Sequence, residues 1–130
     1  MKRTNSVGGH RTYPTTPQMH EIEARAHGEI GVFNDGLDRL NRERQLTVEQ
    51  EQFLHQLADN APLKQRFARI AARTNRLWNL AMDHQRFLRG ESDDDGPYTT
   101  ANLGQRMIAE SDTWTRFKQD IAQEISAASD

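Results

Sequence analysis

Apolar residues in this chain recur at steps of three and four, and nowhere do they alternate with period two for long enough to make a strand. Met19, Ile22, Ala26, Ile30, Phe33, Leu37 and Leu40 form one row. Leu63, Phe67, Ile70, Thr74, Leu77, Ala81 and Leu88 form a second, widened by Ala71, Trp78 and Leu80. A shorter set, Leu103, Met107 and Ile108, precedes Trp114, Phe117, Ile121 and Ile125. With 3.6 residues to a turn, each row lies along one side of a helix and needs another apolar face to cover it. An all-α fold is expected: a compact bundle of four or five helices.

Local signals set the expected boundaries. Thr16 before Pro17 gives a capping residue followed by proline at the first helical position. Gly28, Gly31 and Gly36 weaken the middle of that first helix, each by about 1 kcal/mol against alanine. They predict either a break near Asn34 to Gly36 or a close helix crossing. Thr47-Val48-Glu49-Gln50 matches a capping box and predicts a second helix reaching about Asp59, with Val48, Phe53, Leu54, Leu57 and Ala58 on its apolar face. Asn60-Ala61-Pro62 predicts a stop and restart with Asn60 as the cap of a third helix, which runs to Gly90. Residues 91 to 98, ESDDDGPY, read as a loop. Thr99 or Thr100 is expected to cap a short fourth helix, and Asp112 a fifth.

At 130 residues the chain suits one domain. Residues 1 to 16 hold Lys2, Arg3 and Arg11 with no acid and too few apolar groups to offset the entropy of ordering, so a flexible basic arm is expected before a single helical domain over 17 to 130. A mean hydropathy of -0.92 implies a lean core that gains from apolar area lent by a second copy, hence an expected homo-oligomer. The absence of cysteine removes disulfides and thiolate metal sites. No apolar run nears the roughly 20 residues that span a bilayer. A cytoplasmic protein with no membrane partner is expected.

The net charge of -2 hides blocks. Residues 1–20 carry +3, 21–60 carry -5, 61–90 carry +6 and 91–130 carry -6. Within the positive block Arg66, Arg69, Arg73 and Arg76 form their own row, turned about 100° from the apolar one, with Lys64 two residues before it. Such a flank lets long cationic side chains cover apolar surface with their stems. The carboxylates of the acidic helices can neutralise it, as pairs contributing about 0 to 1 kcal/mol each. Otherwise the row meets nucleic-acid phosphates or an acidic protein surface. A pI near 6.2 speaks against a dedicated nucleic-acid binder.

Catalytic and metal chemistry find little support. His20, Glu23 and His27 share a side of the first helix, but no His-His step is the four-residue pair of a zinc helix, and no second carboxylate-histidine pair complements them. Glu91, Asp93, Asp95 and Gly96 resemble the opening of a calcium loop, which then fails at its twelfth position, Asn102. His55 and His84 read as boundary residues beside apolar rows, and Trp78 and Trp114 as core or interface anchors. There is no nucleophile context and no phosphate loop. The sequence thus leads to a non-enzymatic binding protein without cofactor or metal. Its expected role is that of a small regulator or inhibitor that meets an acidic protein through Lys64, Arg66, Arg69, Arg73 and Arg76, with Lys2, Arg3 and Arg11 as arm contacts. The alternatives are a nucleic-acid-binding accessory protein using the same arginines and a structural subunit of a larger assembly.

Overall fold

The structure, a computed structural model, describes residues 17–129, with side chains from residue 28 onward. It is a compact bundle of four helices: α1 (Pro17–Glu43), α2 (Val48–Gln56), α3 (Pro62–Leu88) and α4 (Thr100–Ser129). No strand occurs among the described residues. The expected arm, with Lys2, Arg3 and Arg11, lies outside them, as do the side chains of His20, Glu23 and His27.

α4 is the central element. Its inward side, Leu103, Met107, Trp114, Phe117 and Ile121, repeats at three and four and is buried throughout. α1 runs parallel to it, Gly36 lying against Gly104 and Glu43 meeting Thr115 and Lys118. α3 runs antiparallel, Arg66 reaching Asp120 while His84 reaches Thr100. Phe33, Leu37 and Leu40 of α1, Leu54 of α2, and Ile70 and Ala81 of α3 complete the core. Burying side chains of this size contributes roughly 1.5 to 3 kcal/mol each. Ile30 and Leu88, expected in the core, lie at its edge with 40% and 38% of their surface exposed.

Of the four or five helices expected, the described residues form four. Asp112 caps nothing, because α4 passes through it unbroken. The neighbouring hydroxyls bond inside the helix instead: Ser111 donates to the carbonyl of Ile108 and Thr113 to that of Ala109. Serine and threonine hydroxyls that bond back to the preceding turn are accommodated inside a helix. Thr99 does cap α4, its Oγ1 accepting from the Asn102 N–H at 3.1 Å.

α1 likewise has no break at Asn34 to Gly36. Gly36 serves the crossing: a Cβ there would stand 2.6 Å from the Gly104 carbonyl oxygen, and one on Gly104 would stand 2.7 Å from the backbone of Val32 and Phe33. α2 begins with the expected capping box, Thr47 and Gln50 bonding reciprocally. It ends three residues early, at Gln56, because Leu57 is extended (ψ 152°). The cap of α3 is Ala61 rather than Asn60 and makes no side-chain bond. Pro62 disfavours helical backbone in the residue before it, and Ala61 is accordingly extended (ψ 137°). α3 ends as expected at Gly90, whose φ of 78° lets its N–H bond Phe87 while that of Glu91 bonds Arg86.

Candidate functional site

The arginine row of α3 splits into two fates. Arg66 and Arg73 turn towards α4 and are neutralised there. Arg66 pairs with Asp120 at 2.7 Å and lies 5.1 Å from the Phe117 ring centre. Arg73 bonds Glu110, its Nε and Nη2 each 2.9 Å from Oε1. Arg69 and Arg76 are exposed and make no salt bridge among the described residues. Lys64 belongs elsewhere: it closes the α2–α3 turn, bonding the Leu57 carbonyl and Asp59, and lines a separate small cleft with Leu54, His55 and Phe67.

Glu110 is the deepest charge in the molecule's described part, with 6% of its side chain exposed. Besides Arg73 it accepts from the Thr74 hydroxyl at 2.7 Å, and Thr74 in turn accepts from the Trp114 indole at 2.9 Å. The indole N–H can only donate, so Thr74 must pass its own proton onward, and a carboxylate is the group that receives it. The network is directional and its members are bonded to one another, which is what allows a charge to sit buried between α3 and α4.

Above this network α3 and α4 part into a groove of about 460 Å³. Leu77, Leu80, Ala109 and Tyr98 supply its apolar surface, and Arg73, Arg76 and Arg106 its charge. Arg106 comes from the acidic block. Its Nε donates to Asn102 Oδ1 at 2.6 Å and its guanidinium lies 4.2 Å from the Tyr98 ring centre. These contacts hold the planar group without neutralising it. With Arg73 balanced by Glu110, the surplus positive charge of the groove is that of Arg76 and Arg106. An apolar floor beside two guanidinium groups suits a ligand that carries apolar groups and anionic ones together.

No family model, curated protein or solved structure matches this chain. The reading of the groove rests on its geometry.

Of the predicted contact residues, the fold gathers Arg73 and Arg76 at the groove, turns Arg66 to α4, leaves Arg69 outside and sends Lys64 to the other end. Arg106, Tyr98 and Leu80 were not foreseen as contacts. Summing charge by segment concealed Arg106, because it stands among nine acids in residues 91–130. Only the antiparallel register of α3 and α4 brings it beside Arg76. Trp114 is buried as an anchor, and Trp78 is half-buried beneath Arg44, whose guanidinium lies 4.3 Å from its ring centre.

The loop that resembled the start of a calcium site is pinned to the bundle by His84. This ring, 3% exposed, bonds the Asp95 carbonyl at 2.9 Å and Thr100 Oγ1 at 2.7 Å, between Phe33 and Phe87. Asp94 accepts from the Gly96 N–H, and Gly96 has a φ of 77°. Among the described residues no three His, Asp or Glu side chains converge as metal ligands. Nor is any described helix long and apolar enough to cross a membrane.

Proposed function

We propose that this is a non-enzymatic protein-binding regulator or inhibitor, working in the cytoplasm, that seats an acidic segment of its partner in the α3–α4 groove. The observation that carries this reading is the pair Arg76 and Arg106, two cations without a carboxylate among the described residues, beside the apolar surface of Leu77, Leu80, Tyr98 and Ala109. Guanidinium groups beside such a surface attract carboxylates and gain strength where the partner's apolar side chains exclude water. Nucleic acid is a weaker fit. Two of the four row arginines are engaged by Asp120 and Glu110, which leaves few cations in line for a run of phosphates.

The test is capture from source-cell lysate, with and without nuclease, by the wild type, by Arg76→Glu with Arg106→Glu, and by Arg69→Glu. The expected result is a nuclease-resistant protein partner held by the wild type and by Arg69→Glu but lost by the double variant. Loss of the partner on nuclease treatment would favour the nucleic-acid reading. Unchanged capture by the double variant would remove the groove from consideration.

A further inference from the structure

The groove has an acidic neighbour on the same molecule. Leu80 and Tyr98 line it on one side, and on the other they line an adjoining cleft of about 160 Å³ beneath the α3–α4 loop, with Asp83, Asp94 and Asp95. That loop carries Glu91, Asp93, Asp94 and Asp95, all exposed, and Asp93 and Asp95 form no salt bridge among the described residues. A basic patch and an acidic patch thus adjoin across one half-buried apolar strip.

Such a face is self-complementary. In an isologous dimer each patch meets its opposite on the other copy, because residue i touches j wherever j touches i. A two-fold axis through the Leu80–Tyr98 strip sets the acidic loop of each copy against the Arg76 and Arg106 of the other. We propose that a second copy of this chain is an occupant of the groove, entering by its acidic loop. This rests on the reading that the groove takes acidic segments, and it identifies one such segment.

Three further observations favour this occupant. The loop is preorganised: the buried His84 holds it by the Asp95 backbone, the Asp94 side chain closes a turn on Gly96, and Gly90 and Gly96 supply the positive φ angles at its two ends. A preset loop loses little freedom on docking. The apolar strip between the patches supplies area that water would otherwise cover. The core is lean for the chain's length, and a symmetric contact covers this strip on both copies at once. The dimer closes the groove, so an outside acidic partner has to compete with it. Self-association and partner binding then exclude each other.

Charge exchange tests this with the full chain. In the groove variant, Arg76→Glu with Arg106→Glu, both patches become acidic. In the loop variant, Asp93→Arg with Asp95→Arg, the loop loses its net negative charge and leaves no acidic patch to meet the basic groove. Sedimentation equilibrium is expected to show a wild-type dimer that weakens between about 0.05 and about 0.5 M salt, each variant alone at least about tenfold weaker in self-association, and a heterodimer when the two are mixed. A wild type that stays monomeric at every concentration overturns the inference, and so does a dimer that survives in both variants. A labelled peptide of alternating glutamate and leucine reads the groove separately. If the monomeric loop variant binds it and the groove variant does not, the acidic-segment reading stands. Equal binding by the loop variant and the groove variant sinks that reading, whatever sedimentation shows. Circular dichroism melts verify that all four substituted positions, exposed in the fold, leave it intact.

Discussion

α4 has two long neighbours, and it meets them by opposite means. Against α1 it is drawn so close at Gly36 and Gly104 that one missing Cβ on each side sets the spacing. Against α3 it stands further off, with contact made through the Thr74–Glu110–Arg73 network and the aromatic group Phe67, Trp114 and Phe117, whose ring centres lie 6.0 to 6.2 Å apart. At this crossing the first seam leaves no room even for a Cβ. The second opens into a charged groove. A bundle with one tight seam can leave the other incompletely filled, and this incomplete seam is where a partner finds both apolar surface and unneutralised charge.

The contrast is most easily broken at the tight seam. Gly104→Leu drives side-chain atoms into the backbone of Val32 and Phe33, and a loss of about 3 kcal/mol or more is expected in urea unfolding. At Gly28 and Gly31 an added Cβ meets nothing within 4 Å. Alanine there is expected to stabilise by about 0.5 to 1 kcal/mol, since glycine carries an entropic penalty inside a helix. If the two kinds of glycine respond alike, spacing at Gly36 and Gly104 is not what holds α1 to α4.

The open seam should show coupling in place of steric loss. Truncating Arg73 leaves a buried carboxylate bonded only by Thr74; truncating Glu110 leaves that hydroxyl without its acceptor. A double-mutant cycle over Arg73→Ala and Glu110→Ala is expected to give a coupling of about 1 to 2 kcal/mol, moderated because half of the Arg73 side chain is in water. The same cycle over Arg66 and Asp120, a pair in which neither carboxylate nor guanidinium is fully buried, should give under about 1 kcal/mol. Equal couplings would mean that burial of Glu110 contributes nothing.

Glu43 adds a smaller effect, at the far end of the tight seam. The Thr115 hydroxyl and then the Lys118 ammonium, both donating to its Oε1, hold its carboxyl below the usual range. A carboxylate lowered in the fold contributes stability that is fully present above its unfolded value of about 4.3 and is lost as pH falls through the lowered one. Glu43→Gln is therefore expected to flatten the acid limb of the stability profile below about pH 4.5 and leave its slope near neutrality unchanged. The smallest effect is expected at Arg76: Arg76→Glu should move stability by less than about 0.5 kcal/mol while removing partner capture, which separates binding from folding at the open seam.

The helical class, the capping box of α2 and the glycine stop of α3 could be read directly from residues because each depends on neighbours within a turn. So could the division of α3 into an apolar row and an arginine flank, since 3.6-residue geometry fixes both. Two local readings failed: Asp112, expected to cap a fifth helix, lies inside an unbroken α4, and Pro62 moves the cap of α3 from Asn60 to Ala61. What sequence could not assign was partnership between distant residues. Which arginines meet Glu110 and Asp120, that Gly36 and Gly104 face each other, and that Arg106 stands beside Arg76 all depend on the direction and register of helices joined through separate connections. Periodicity determines the face a helix presents; only packing determines what stands opposite, and so which charges remain for a partner.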